Sequence, residues 1–224
     1  LYIVELARAG WVAATGRFSL PTSLQATVRG HFANLPDGAR ELLEVAATIG
    51  REFRLSVLAH ASGQEGTTLV RNLDNLWRRR IVRENGTEGY DFCHGRLGEV
   101  AYRDLSNAHR ALLHGRVAEA YQEIRPSGVG IADIARHFEL AGASNKAARF
   151  FVEAGNAARD IYANEAAVSY YRRAIELLPV GQGVEIMVQL GETLKLAGEW
   201  SEAERMYQEA LASALRQDLS LIHI

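Results

Sequence analysis

The chain has 224 residues and a mass of 24.7 kDa, with 48% hydrophobic and 23% charged residues, a globular composition with room for one large or two ordinary domains. A net charge of −2 and a pI near 6.4 exclude a global basic field for nucleic acid. The single cysteine, Cys93, excludes a disulfide framework or a Cys-rich zinc site and fits a reducing cytoplasm, and no uncharged apolar run approaches the roughly eighteen residues that cross a bilayer. The chain opens on Leu1 rather than Met and shows no signal-peptide pattern, so the expectation is a fragment of a longer cytoplasmic protein. Only Lys146 and Lys195 accompany 23 arginines, a bias read as GC-rich coding rather than as an arginine-driven surface.

Residues 1–15 read as the end of a helix, with Leu1, Val4 and Leu6 on a partly apolar face, and Gly16 and Pro21 punctuate it. A new segment starts at residues 20–24. Another starts at residues 34–37, where Leu42, Leu43, Ala46 and Ile49 fall at helical spacing before Gly50. A short helix over 55–61 ends at Gly63, and a further one over 67–79 turns Leu69, Leu73 and Leu76 inward. The period then changes. Residues 81–84 and 90–93 read as strands around the turn 85–89, and Asn85-Gly86 is a strong hairpin signal because both residues tolerate positive φ. Three helices followed by a hairpin is the order of a winged helix. Helices resume over 97–105 and 108–124 and stop at the RPSG stretch, residues 125–128, the best domain boundary in the chain.

Beyond a helix at 131–141 the chain repeats itself. Gly155, Ala158, Ala167, Tyr171 and Ala174 recur 36 residues later as Gly191, Leu194, Ala203, Tyr207 and Ala210. Small residues where two helices cross, beside an aromatic, are what a tetratricopeptide (TPR) pair requires. The usual period is about 34, and the loop at 179–183 takes up the excess. Pro179 sits where the second helix of such a pair ends. Two copies are fewer than the roughly three that make a stable array, so continuation past residue 218 is expected. Residues 219–224 (LSLIHI) resemble a translated sequencing adapter and are expected to carry no function.

Several chemistries are excluded by missing residues. Neither lysine follows a glycine, so the Gly-Lys-Ser/Thr of a phosphate-binding P-loop is absent, as are His-Glu-x-x-His and Gly-x-Ser-x-Gly. His109 and His114 are spaced onto different helix faces, so no metal site and no catalytic residue is expected. Gly128-Val-Gly130 is a loop. Arg78, Arg79 and Arg80, with Arg71 and Arg83, match a recognition helix entering DNA. They equally complement the dipole of a helix C-terminus, and the acidic chain and Asp74 favour that second reading. Trp77 is expected in the core. His94, where the second strand hands over to a helix, can face a bound anion or serve as a structural hydrogen-bonder.

The run LPTSLQ (20–25), then NLPDGARELLEVAATIGREF (34–53), resembles the region after the nucleotide-binding core of bacterial signal-transduction ATPases with numerous domains (STAND, an AAA-type group). Phe92-x-His94, Glu99-x-Ala-Tyr102, Arg110 and LHGRVAEA (113–120) extend the resemblance, and IYANEAAVSYYRRAIELLP (161–179) is similar to the repeats that follow in those proteins. The resemblance implies a mostly α fold. Residues 1–33 are the tail of the nucleotide-binding module with its linker, 34–125 a winged-helix domain with a small β-hairpin and the helices after it, and 126–218 TPR-like α-helical repeats. It also implies that the winged helix is a regulatory lid rather than a DNA reader. His94 matches the histidine of a Met-His-Asp-type motif that touches the ADP β-phosphate, with Cys93 in place of Met and Gly95 in place of Asp. The cofactor, ATP or ADP, would belong to the parent protein, an ATP-binding ATPase, and not to this segment, which is itself no enzyme. The partners implied are the upstream nucleotide-binding domain in cis and a protein or small-molecule inducer on the repeats, with no membrane partner. The output would be transcription regulation, or a class III nucleotidyl cyclase on another domain. The plainest alternative is a non-enzymatic repeat scaffold.

Overall fold

The structure, a computed structural model, describes residues 29–222 apart from 31, 88, 127 and 180, and of 217–222 only the helical backbone. The expectations for residues 1–28 lie outside the described residues, as does any account of the side chains at 219–224. Residues 1–34 and 35–224 form two units. Of the first, residues 29, 30, 32 and 33 are helical.

The second unit opens with α1 (Asp37–Ile49), β1 (Glu52–Arg54), α2 (Leu55–Ser62), α3 (Gly66–Arg78), β2 (Val82–Asn85) and β3 (Gly89–Phe92). Leu42, Leu43, Ala46 and Ile49 are all buried, as their spacing predicts, and Gly63 ends α2 at φ +68, a left-handed cap that glycine adopts without strain. The strand β1 is not legible in the sequence. It is three residues long, and its pattern of one buried residue, Phe53, between two less buried ones carries too little periodicity to register. The three strands form one antiparallel sheet in the order β1-β3-β2. Asn85 pairs with Gly89 at the turn end of the hairpin, and Gly86 takes a positive φ, +78. Arg83 and Asp91 face each other across the ladder. The guanidinium donates to both carboxylate oxygens (Nε–Oδ1 2.6 Å, Nη2–Oδ2 2.9 Å), pinning the register at a buried acid.

Next come α4 (Gly95–Arg103) and α5 (Asn107–Ile124). Ser106 caps α5, its Oγ accepting from the His109 N–H (3.2 Å). The long α5 packs across α1 and α2. The ion pair Arg116–Glu41 (3.5 Å) and the contacts His109–Glu44 (3.8 Å) and His60–Glu123 (3.5 Å) decorate that seam, each exposed enough to add little. The helix ends at Arg125 (φ +44), and Pro126 cannot continue it.

Five helices complete the fold: α6 (Ile131–Leu140), α7 (Ser144–Asp160), α8 (Asn164–Leu177), α9 (Val184–Leu196) and α10 (Trp200–Ile222). Each packs on the next, and α6 also packs back on α5. The mostly helical chain is thus consistent with a TPR-like repeat. The crossing points fall where the 36-residue repeat puts them. A methyl at Gly155 would lie 2.7 Å from the Tyr171 ring and one at Gly191 would lie 2.8 Å from the Tyr207 ring, so only hydrogen fits at either crossing. Ala158, Ala167, Val168, Tyr171, Leu190, Leu194, Ala203 and Met206 form one shared core. The same turn also recurs: the N–H groups of Ala143, Ala163 and Glu199 return to the carbonyls of Phe138, Ala158 and Leu194 (each 2.9 Å). No helix among the described residues is long and apolar enough to cross a membrane.

Candidate functional site

His94 is the residue at which β3 becomes α4. Its backbone is extended (φ −135, ψ 123), its carbonyl accepts from the Leu97 N–H (2.9 Å), and its ring makes no cap hydrogen bond to the helix. The position is held from both sides. Before it, Phe92 is buried edge-on against Phe53 (5.7 Å between centroids), and the Cys93 N–H donates to the Ile81 carbonyl (3.0 Å). After it, Gly98 lets α4 close onto the Phe92 ring, since a methyl there would lie 2.8 Å from that ring. His94, Gly95 and Arg96 emerge as an exposed row between two buried anchors, Phe92 and Leu97. With glycine at 95 the row carries no carboxylate. Neither an ion pair nor a side-chain hydrogen bond engages the His94 ring among the described residues. An exposed, uncommitted imidazole beside an arginine fits a phosphate oxygen as ligand.

The arginines of the α3 terminus do not act as one group. Arg83 is spent on Asp91, Arg78 lies 3.9 Å from Asp74, and Arg79 and Arg80 stand where α3 stops. The Arg80 N–H returns to the Trp77 carbonyl (2.9 Å) and the Ile81 N–H to that of Leu76 (3.0 Å), with Arg80 at φ +55. Trp77 corrects the expectation of a core position: it is 52% exposed. The buried stripe of α3 runs through Leu69, Leu73 and Leu76, and the residue after Leu76 is rotated about 100° off it.

One polar cluster escapes sequence reading. Tyr102 Oη lies 2.8 Å from His114 Nε2, and His114 Nδ1 lies 2.9 Å from His137 Nδ1, joining α4, α5 and α6. Tyr121 packs edge-on against His137 (5.5 Å). Burial, reinforced by Arg110, lowers His114 to about 4, and burial with His114 and Arg136 lowers His137 to about 3. Both imidazoles are therefore neutral near pH 7, and across their contact one Nδ1 donates while the other accepts. The separation of 23 positions between the two histidines hid the pair, because only the α5–α6 packing brings them together. Among the described residues no group of three or more His, Cys, Asp or Glu is placed to hold a metal. A cleft of about 610 Å³ opens at the turn end of the hairpin, between Phe53, Asn85 and Tyr90 and the loop at Pro126 and Val129, away from His94.

No protein-family model matches the chain. An uncharacterized protein of Rhizobium meliloti is 28% identical over 202 residues, covering 81% of this chain and 19% of the relative, so the chain spans about a fifth of that protein's length. Among solved structures it is similar to a signal-transduction ATPase with numerous domains that carries a tetratricopeptide repeat sensor, from Pyrococcus horikoshii. The TM-score is 0.50 at 12% identity, over 89% of this chain and 35% of that one. That likeness concerns the fold alone.

Proposed function

We propose that this chain is a regulatory and sensor segment of a multidomain signal-transduction ATPase. In this reading residues 34–125 carry a winged helix acting as a nucleotide-dependent lid, and residues 126–218 are a TPR surface for a protein or small-molecule inducer. The observation that carries the proposal is the likeness to a STAND protein with a repeat sensor over 89% of this chain. Three features support the detail. The order helix, strand, helix, helix, strand, strand with a β1-β3-β2 sheet is that of a winged helix. His94 stands exposed at the end of that unit, and exposed apolar side chains, Ile161, Tyr162, Leu196 and Trp200, sit at the equivalent turns of successive repeats.

The bound nucleotide would supply its diphosphate as the lid's anchor. His94 would donate from its imidazole to a phosphate oxygen in the closed state, while Phe92 and Leu97 hold it rigidly to the lid. Moving the lid withdraws His94 as a unit with the sheet. An inducer on the repeats opens the lid only to the extent that it binds the open form more tightly. The output, in this proposal transcription control, would reside on another domain of the parent.

The test is ADP retention by the parent protein, purified without added nucleotide. His94→Ala is expected to lower the bound ADP, measured after acid extraction, while thermal stability of the repeats is kept. An unchanged ADP content would remove the lid role.

A further inference from the structure

Arg80 and His94 are 14 residues apart in sequence, and the hairpin returns the chain so that both lie just beyond the same end of the β2–β3 ladder. The β2–β3 ladder ends with Val82 opposite Phe92, and one further bond, from the Cys93 N–H to the Ile81 carbonyl (3.0 Å), extends it. Just beyond that bond lie Arg80, in the turn that ends α3, and His94, the residue that precedes α4. Arg96 follows two positions later, in the first turn of α4. All three side chains are exposed, and none takes part in an ion pair among the described residues, whereas Arg83 is spent on Asp91 and Arg78 faces Asp74. The backbone adds a second observation. Arg80 closes α3 at φ +55, a position that glycine takes without strain and arginine does not. A cation therefore stands at the site where the chain geometry alone would favour glycine.

We infer that Arg80, with Arg96, completes the phosphate-binding surface of which His94 is one member, and that its ligand is the diphosphate of a nucleoside diphosphate. This rests on the nucleotide-sensing reading above. The guanidinium fork matches two phosphate oxygens at once, and with Gly95 at the motif's acidic position the row 94–96 holds only cationic and neutral side chains. The arginine run thus divides. Arg78 serves its own helix, and Arg80 serves the site.

The test is a titration of the isotope-labelled 224-residue chain with inorganic pyrophosphate, followed by NMR at His94, Arg80 and Arg96. Arg80→Gly removes the cation and relaxes the backbone, so its melting temperature should hold or rise, and pyrophosphate binding should weaken about fivefold or more. Arg78→Ala removes the same net charge nearby and should leave binding unchanged. If His94→Ala weakens binding while Arg80→Gly behaves like Arg78→Ala, this inference falls and the sensing role of His94 stands. Pyrophosphate that perturbs none of the three residues overturns both. Tight binding of a duplex DNA, weakened alike by Arg78→Ala and Arg80→Gly, would return the run to a nucleic-acid surface and overturn the inference.

Discussion

The helix pairs α7–α8 and α9–α10 cross in the same way but are buried to different depths. Gly155 meets Tyr171 and Gly191 meets Tyr207 with nearly equal clearance, yet Tyr171 is fully buried and Tyr207 only half-buried. The difference lies in the next neighbour. Helix α8 has α9 packed on it, and no described helix follows α10. Ile175 is half-buried against the shared core, whereas Leu211, its equivalent 36 residues on, is 62% exposed. The crossing within a pair is therefore a property of the pair's own sequence, and the depth of burial is conferred by the pair that follows.

The largest effect expected from this difference is on the glycines. In Gly155→Ala the new methyl meets a ring that α9 prevents from moving, so overpacking should outweigh the helix propensity gained and cost about 2 kcal/mol. Gly191→Ala meets a ring with solvent beside it, and Tyr207 can swing aside, so the loss should stay below about 1 kcal/mol. Urea unfolding of the two variants measures the gap. Equal losses would show that the next pair does not clamp the ring.

The pair before these two is built differently, and acid should find it first. Helices α5 and α6 meet through His114 and His137 where the later pairs meet through glycine and tyrosine. Both histidines have folded values, about 4 and about 3, below the unfolded value of about 6.5, so the unfolded chain binds more protons between those limits. Their contribution is complete above about pH 6.5 and is lost as pH falls toward the folded values; for His114 alone, 4% exposed, the loss by pH 5 is about 2 kcal/mol. Urea midpoints from pH 7 to 5 should fall for the native chain and fall less for His114→Gln. Hydrogen exchange at pH 5 should open α6 before α8. Parallel slopes in the two proteins would place the acid-sensitive step elsewhere.

Most of the helical architecture was legible because its signals are local. Leu69, Leu73 and Leu76 mark the inward face of α3, and the 36-residue recurrence marks both crossings before any contact is seen. What escaped was set by partners distant in sequence. Strand β1 exists because β3 pairs with it, Trp77 is exposed because the stripe beside it already fills the core, and His114 meets His137 only through helix packing. At the candidate site, the residue His94 could be named from its position after the hairpin. Arg80 could not be assigned to the same end of the ladder, because the bond from Cys93 to Ile81 lies beyond the turn that the sequence marks.

The smallest effect concerns the turns. Tyr162 and Gly198 are equivalent positions, 36 residues apart, and both hold left-handed backbone (φ +60 and φ +83) at the same place after a helix. Tyr162 is 87% exposed, so its side chain contributes almost no packing to offset the conformational cost. Tyr162→Gly relieves about 1 kcal/mol of strain and returns part of it through the greater freedom of the unfolded chain, for a net gain near 0.5 kcal/mol. Gly198→Ala runs the other way and should lose about 1 kcal/mol. With roughly 2–4 °C per kcal/mol for a chain of this size, calorimetry should resolve a rise of one or two degrees in the first variant and a fall in the second. A fall in both would mean that the Tyr162 ring makes a contact in solution that its exposed position does not show, and the two turns would then differ in function as well as in sequence.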